Sequence, residues 1–316
     1  MVAYAARRVL LALMILLVVM AAMFLIVFIV PGDAASIALG PRATPELKAL
    51  LVARMGLDQP WFVQLWRFVS GALTGDLGLD VWSRRPVLDM ILEVLPRTLA
   101  LGLAAMGWAV ALGTALGVLA VVRAGSLLDR ALGVLSVGVI AVPSFVVALW
   151  SLAVFAVHLG WFPAVGAGEA GDWGSQARAL VLPAFAVGLG WVGYVARLVR
   201  ASLLEVMGMG HVRTARAFGL AEPRVVLRYG LRVAVVPVIA ILAVGLGGIL
   251  SAAVFVEAVF SRPGIGTLVT EAVQSRNFPV VMGAVLVMTA FYLAVVTAAD
   301  LLIALLDPRV RDVLRG

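Results

Sequence analysis

Residues 197–237 read RLVRASLLEVMGMGHVRTARAFGLAEPRVVLRYGLRVAVVP, and they lie between two long apolar segments. This stretch contains seven arginines but only two acids, Glu205 and Glu222. Arginine is costly to place in lipid, and it concentrates in the short cytoplasmic loops of membrane proteins. The stretch therefore predicts a cytoplasmic loop, 197–237, that joins two membrane-spanning helices.

The same loop contains the pattern of a short helix. No proline interrupts Leu203–Phe218, and mostly apolar residues recur there at three- and four-residue spacing. The predicted stripe is formed by Leu204, Met207, His211, Ala215 and Phe218. Gly219 is expected to cap this helix, and Pro223 prevents its simple continuation. A second helix is predicted to follow, with one face formed by Arg224, Arg228 and Arg232. A helix–glycine–helix arrangement of this kind suits docking in a groove on a partner.

Composition places the chain among integral membrane proteins. Of its 316 residues, 64% are hydrophobic and only 13% are charged, and the mean hydropathy is +1.13. Soluble proteins carry about 25% charged residues. The net charge of +7 comes from basic residues that lie between apolar segments, so topology and membrane lipid explain it better than nucleic acid does. The absence of cysteine excludes disulfides, thiolate metal sites and cysteine nucleophiles.

Six apolar segments are long enough to cross about 30 Å of hydrocarbon as helices. They are predicted at Val9–Val30, Leu95–Val122, Ala131–Leu159, Ala179–Ala196, Val238–Phe260 and Val280–Leu306. The first segment is longer than a signal-peptide core, so an uncleaved span is expected. The arginine-rich connections fall on one side, which predicts that both termini are cytoplasmic. Pro143 predicts a kink in span three, and Gly113 and Gly117 form a GxxxG pair suited to close helix packing.

The domain organisation follows from these spans. Residues 1–31 are predicted to form an N-terminal transmembrane helix, and 32–94 an extracytoplasmic loop with short helices. Residues 95–306 form the transmembrane core with its loop 197–237, and 307–316 a cytoplasmic tail. Within the extracytoplasmic loop, one helix is expected to begin at Thr44–Glu46 and another to span Trp61–Leu73, with aromatic residues suited to the membrane interface.

Two acids lie in or near the membrane, where ionisable groups are expensive and therefore candidates for function. Glu257 lies about one turn from Arg262 and is either a satisfied interfacial carboxylate or part of an outer gate. Asp300 is either the structural partner of an arginine at the cytoplasmic end or a substrate contact. The candidate gate consists of Glu257, Pro263 and Gly264.

Two kinds of chemistry are excluded by the residues present. His158 and His211 are predicted on opposite sides of the bilayer, so they cannot form one metal site or one catalytic pair. A phosphate-binding P-loop needs a lysine after a glycine-rich turn, and the only lysine, Lys48, has none. If the protein takes part in ATP-driven transport, another subunit must hydrolyse the ATP.

The segment that begins HVRTARAFGL at His211 resembles the coupling loop of type I ABC importer permeases. It is most similar to the dipeptide, oligopeptide and nickel branch, whose pattern is roughly Tyr-Val-x-Thr-Ala-Arg-Ala-x-Gly-Leu. The matching positions are Val212, Thr214, Ala215, Arg216, Ala217, Gly219 and Leu220, whereas His211 stands in place of the tyrosine. The phrases GLDQP (Gly56–Pro60), FVEAVFSRPGIG (Phe255–Gly266) and ADLLIALLDPRVR (Ala299–Arg311) match the branch as well, so the resemblance covers almost the whole chain.

The resemblance implies an all-α integral membrane protein with six transmembrane helices, the transmembrane domain of a type I ABC importer in the bacterial cytoplasmic (inner) membrane. It implies four partners: a second homologous permease subunit, ATP-binding cassette subunits that hold ATP and Mg, an extracytoplasmic substrate-binding protein and membrane lipid. No cofactor and no catalysis are expected in this chain. Docking to the ATP-binding subunit is expected at Glu205, His211, Val212, Thr214, Ala215, Arg216, Ala217, Gly219 and Leu220.

Several alternatives remain open at this point. Di- or oligopeptides are the expected cargo because they dominate the branch, but nickel chelates, glutathione and other small solutes also fit. The extracytoplasmic loop either caps the dock of the binding protein or packs as a lid on the membrane face. A secondary transporter, a membrane scaffold, or a basic loop that is held by anionic lipid are the other classes.

Overall fold

The fold was analysed in a computed structural model, which describes residues 2–29, 44–46, 49, 52 and 58–306. Regular structure in these residues is helical, apart from a single bridge between Leu79 and Pro86. In chain order the helices are α1 (Val2–Ile29), α2 (Trp61–Leu73), α3 (Val87–Val122), α4 (Leu127–Ala141), α5 (Ser144–Ser151), α6 (Trp173–Met207), α7 (Gly210–Ala217), α8 (Glu222–Arg224), α9 (Leu231–Val259), α10 (Ile265–Gln274) and α11 (Phe278–Leu306). Two π-helical segments, Leu152–His158 and Val225–Gly230, follow α5 and α8.

Within the described residues, five helices are long and apolar enough to cross a membrane: α1, α3, α6, α9 and α11. The sixth predicted span is a pair of helices, since α4 and the segment Ser144–His158 meet at an angle of 93°. The expectation of one kinked helix is therefore wrong in its geometry. Pro143 supplies the reason: its backbone is extended (φ −60°, ψ 140°), and it caps the N-terminus of α5 instead of continuing α4.

The helices form two compact units, one of residues Met1–Pro96 with Gly264–Gly316 and one of residues Arg97–Pro263. In the first unit α1 and α10 pack against α11, and α2 packs against α1. Its core includes Met20, Leu77, Ile91, Ile265 and Val280. In the second unit α6 is central and packs against α4, α5 and α9. Its core includes Leu101, Ala105, Val187, Ile249 and Phe260. The domain boundaries given above stay predictions.

The GxxxG pair of α3 provides the close packing that was predicted. A Cβ atom on Gly113 would lie 2.7 Å from the Cβ of Val195, and one on Gly117 would lie 2.7 Å from the carbonyl oxygen of Ala196. Both distances are shorter than the contact distance of non-bonded atoms, so only glycine lets α3 approach α6 this closely. Small residues serve this purpose in membrane helices because close backbones maximise dispersion contacts.

The helix Trp61–Leu73 has the predicted bounds. Trp61, Phe62 and Trp66 are exposed on it, and the expected position at a membrane interface stays a prediction. The helix predicted to begin at Thr44 lies mostly outside the described residues.

Candidate functional site

The basic loop begins as a direct extension of α6. This helix starts at Trp173, where the Asp172 carboxylate accepts hydrogen bonds from the backbone N–H groups of Gly174 and Ser175, at 2.8 and 3.2 Å. It ends only at Met207, and its last carbonyls accept from the N–H groups of Gly208 and Met209. The predicted helix Leu203–Phe218 is therefore two helices, with the break at Gly208 and Met209. The backbone of Gly208 is still helical (φ −82°, ψ −11°), and the chain changes direction at Met209, which is extended (φ −74°, ψ 156°).

The break also changes which side chains are buried. The break divides the predicted stripe: Ala215 is buried and Met207 half-buried, whereas Leu204, His211 and Phe218 are exposed. The buried cluster under the loop instead consists of Val121, Leu203, Val206, Val212, Ala215, Val225, Val226 and Ala234. A single helical period runs through Leu203–Phe218 in the sequence, but each of the two helices turns its own face inward. As a result α7 is attached to its own subunit by Val212 and Ala215.

Gly219 terminates α7 as predicted. Its φ of +75° lies in the left-handed region, where a side chain would be strained. The Gly219 N–H donates to the Arg216 carbonyl at 2.9 Å, and the Leu220 N–H reaches the Ala215 carbonyl at 3.4 Å. This pair of bonds is the Schellman arrangement, which normally includes an apolar contact at the same place. Here Leu220 supplies that contact, because it packs on the cluster that contains Ala215.

Arg216 joins α7 to α8. Its guanidinium donates to both carboxylate oxygens of Glu222, from Nε at 3.1 Å and from Nη2 at 2.6 Å. The hydrogen bond from Arg216 lowers the pKa of Glu222, and the hydrogen bond to Glu222 raises the pKa of Arg216. Arg213 donates to the Gly208 carbonyl at 3.2 Å and so bridges the break before α7.

The docking residues predicted from the sequence fall into two groups. Val212 and Ala215 are buried, so their side chains hold α7 in place, and Leu220 is half-buried. The exposed members are Glu205, His211, Thr214, Arg216, Ala217 and Gly219. Sequence reasoning missed Phe218, whose exposed fraction is 82%. Its position is unspecified in the family pattern, so it was not among the predicted docking residues, although the helical period placed it on the apolar stripe.

Both acids that the sequence singled out in or near the membrane have partners. Glu257 is fully buried, and its Oε1 accepts a hydrogen bond from the Thr98 hydroxyl at 2.7 Å. This agrees with the interpretation of Glu257 as a satisfied carboxylate. Asp300 pairs with Arg8 at 2.9 Å, which confirms the expected arginine partner. Pro263 and Gly264 belong to different compact units, and the proposed gate stays a prediction.

One ion pair was not anticipated. Asp129 in the first turn of α4 accepts from Arg200 of α6, at 2.7 Å from Nε and 2.8 Å from Nη2. The two residues are 71 positions apart, so no local spacing in the sequence could indicate their contact. A bidentate arginine–carboxylate pair fixes the relative orientation of two helices.

Comparison with known proteins accounts for this architecture. A family model described as "Binding-protein-dependent transport system inner membrane component" matches residues 110–312. The chain belongs to this family. A second model, for the N-terminal part of such membrane components, matches residues 1–102 of the permease. The permease is therefore a multi-pass inner-membrane protein of an ABC importer, in the peptide and nickel branch, and a transport subunit rather than an enzyme.

Individual relatives agree with this assignment. The permease is 36% identical over 308 residues to the "Glutathione transport system permease protein GsiC" of Escherichia coli (strain K12) and of Shigella flexneri serotype 5b (strain 8401), with 98% of both chains covered. Among solved structures it resembles a chain of the inward-facing MetNI methionine ABC transporter, with a TM-score of 0.58 and 18% identity, over 69% of this chain and 96% of that one. The latter likeness supports the predicted fold of a type I importer transmembrane domain. A secondary transporter and a membrane scaffold do not fit this family.

Proposed function

We propose that this permease forms one half of the translocation pathway of an ATP-driven importer of short peptides, glutathione among them. The cargo is suggested by relatives that cover 98% of the chain and are named for the transport of glutathione, a tripeptide. Di- and oligopeptides belong to the same chemical class, since they share its amide backbone and charged termini. Nickel chelates are the second candidate, because the branch includes nickel permeases.

The observation that carries the proposal is the way α7 is built into the subunit. Val212 and Ala215 bury one face of it against α6 and the π-helical segment before α9, and Gly219 fixes its end. Protein interiors are closely packed and transmit displacement. A force applied to the exposed side of α7 therefore passes to the two long helices that enter the membrane on either side of the loop.

Phe218 is the centre of the surface that we propose for docking. It is a large aromatic side chain with an exposed fraction of 82% that directly follows α7, and exposed His211 and Thr214 lie on α7 itself. Aromatic residues dominate the energy of interfaces because they bury much area with little loss of rotamer freedom. A groove on the ATP-binding subunit is the expected partner, since the permease has no P-loop of its own.

The same proposal assigns roles to the other subunits of the transporter. ATP and Mg are held by the ATP-binding subunits, and a second homologous permease supplies the other wall of the pathway. A binding protein on the opposite face selects the cargo. In this arrangement α7 and both termini are cytoplasmic.

Cysteine labelling tests this orientation without background from the cysteine-free chain. Glu169→Cys lies in the exposed loop before α6, and Arg123→Cys in the exposed turn after α3. An impermeant thiol reagent should label Glu169→Cys in intact cells, and Arg123→Cys only after the membrane is opened. The reverse pattern, or labelling of both from one side, contradicts the orientation.

Purification of the tagged chain from its native membrane tests the function. We expect ATP-binding subunits and a second permease to co-elute, and native mass spectrometry of the associated binding protein to show a short peptide. A nickel chelate on the binding protein would overturn the cargo, and transport by the permease without ATP-binding subunits would overturn the mechanism.

A further inference from the structure

Where α4 contacts α6, one end of the two helices carries more arginines than carboxylates. Asp129 is only 6% exposed, and both of its oxygens accept from Arg200. Its backbone N–H donates to the Ser126 hydroxyl, and one of its oxygens also accepts from the Gly125 N–H at 3.1 Å. The oxygens of Asp129 are thereby hydrogen-bonded to Arg200 and the start of α4, and its single negative charge faces more than one arginine.

A cavity of about 560 Å³ opens beside this ion pair. We call it the α4–α6 cavity; among its lining residues are Asp129, Arg130, Gly133, Tyr194, Arg197 and Arg200. Three arginines and one aspartate give the cavity a charge of +2. In the part of the chain that the structure describes, neither Arg130 nor Arg197 has a carboxylate within 4.0 Å, and both are exposed.

The surroundings of the cavity change from basic to apolar along the helix axis. After Arg130, α4 has no charged residue up to its end at Ala141. Its side chains Val134, Leu135 and Val137 are more than half exposed. Gly133 lies at the junction, and a Cβ atom there would meet nothing within 4 Å, so the wall of the cavity has open room. Tyr194 adds an exposed phenol on the facing helix.

We propose that the α4–α6 cavity binds the phosphate headgroup of an anionic phospholipid such as phosphatidylglycerol. The two arginines without carboxylate partners match a phosphate diester, and the exposed apolar strip of α4 matches the acyl chains that are attached to it. Basic pockets between membrane helices bind anionic headgroups in this way, and each basic residue adds to the attraction. Free phosphate would use the arginines but not the apolar strip. The proposed orientation places this lipid in the cytoplasmic leaflet, whereas the binding itself does not depend on it.

Native mass spectrometry of the purified complex tests the proposal. The complex is held in a zwitterionic detergent and titrated with phosphatidylglycerol or phosphatidylcholine. Wild type should bind phosphatidylglycerol more tightly. The double variant Arg130→Gln with Arg197→Gln should weaken phosphatidylglycerol binding about thirtyfold, since each basic residue near an anionic headgroup contributes about 1 kcal/mol and 1.4 kcal/mol is tenfold. Arg200 is left intact, because its removal would leave Asp129 buried without a partner.

Two further variants separate the cavity from general charge. Gly133→Leu places a side chain in the cavity from a position where a Cβ atom meets nothing within 4 Å, and it should weaken phosphatidylglycerol binding to a similar extent while the complex stays assembled. Arg123→Gln removes an exposed positive charge that does not line the cavity, and it should leave binding as in wild type.

Three outcomes would overturn the inference. Equal affinity for phosphatidylglycerol and phosphatidylcholine would show that the cavity has no headgroup preference. Displacement of the lipid by millimolar inorganic phosphate would make it a site for free phosphate. Protection of Gly133→Cys from a thiol reagent in lipid-free complex would show that another subunit covers the cavity.

Discussion

Gly219 is the residue on which the coupling proposal depends most. Its φ of +75° allows the chain to turn back towards α9 directly after α7, and both bonds of the Schellman arrangement pass through this turn. There is open space around it, since a Cβ atom would meet nothing within 4 Å. The requirement for glycine here is therefore one of backbone conformation and not of room.

Gly219→Val should separate transport from assembly. A β-branched residue at this φ costs about 1–2 kcal/mol, which strains the turn but is small for a protein with several membrane spans. We expect near-normal membrane insertion, a sharp fall in transport, and an ATPase rate that no longer responds to loaded binding protein. Expression, uptake and stimulated ATPase activity measure the three quantities.

Matched variants control for strain alone. Gly125 has a φ of +80° and equally open surroundings, but it lies in the turn between α3 and α4. Gly125→Val should carry the same backbone strain and keep its ATPase response. Gly219→Asn should retain most transport, because asparagine tolerates the left-handed region. Uncoupling by Gly125→Val as well would mean that strain in any loop of this face has the same effect.

The pair Arg216–Glu222 should contribute a small, pH-dependent stability. Both side chains are about half exposed, so a double-mutant cycle on thermal stability at neutral pH should give a coupling of about 0.5 kcal/mol. Arg216 lowers the pKa of Glu222, so the coupling is fully present above the unfolded-state pKa of this carboxyl and is lost as pH falls through its folded-state pKa. A coupling that persists in acid would show that the two residues act through something other than this ion pair.

Among the elements, α7 is a short helix that packs on its own subunit with one face and exposes the other.

Phe218→Ala should weaken association with the ATP-binding subunit about thirtyfold, as expected for loss of about 2 kcal/mol at an interface centre. Leu127→Ala is the matched control, because Leu127 is also 82% exposed but lies at the start of α4. Titration of solubilised permease with ATP-binding subunit measures both. Equal weakening by the two variants would remove Phe218 from the interface.

The packing of α3 on α6 gives a second test at this scale. Gly113→Leu places atoms where Val192 and Val195 already lie, and overpacking of this kind costs about 1–3 kcal/mol or more. Gly107→Leu on the same helix is the control, because a Cβ atom at Gly107 meets nothing within 4 Å. We expect a clear fall in the melting temperature of the solubilised complex for Gly113→Leu and almost none for Gly107→Leu. Similar losses for both would mean that leucine is disfavoured along α3 in general.

Sequence patterns predicted the elements better than the contacts between them. The bounds of Trp61–Leu73 and the left-handed Gly219 follow from local signals, namely a preceding proline, an aromatic run and a capping glycine. The helix Leu203–Phe218 was wrong because its apolar period continues through Gly208, where the backbone breaks. The ion pair Asp129–Arg200 depends on how two helices pack, and no local pattern in the sequence indicates it.

As a whole molecule, we propose, the permease supplies half of a translocation pathway and one docking helix. Two acids of the spans have partners within the subunit: Glu257 accepts from Thr98, and Asp300 pairs with Arg8. Selection of cargo is accordingly assigned to the binding protein, and energy to the ATP-binding subunits. Neither task requires a reactive group in this chain.

Uptake by the reconstituted complex tests directly whether this permease works in an ATP-driven peptide importer. The purified complex is placed in vesicles with ATP inside and peptide-loaded binding protein outside, and labelled short peptide or glutathione is followed into the lumen. We predict uptake that requires both ATP and binding protein. It should fall sharply when the Gly219→Val variant replaces the wild-type permease. Uptake without ATP, driven by an ion gradient, or wild-type uptake by the Gly219→Val complex would contradict it.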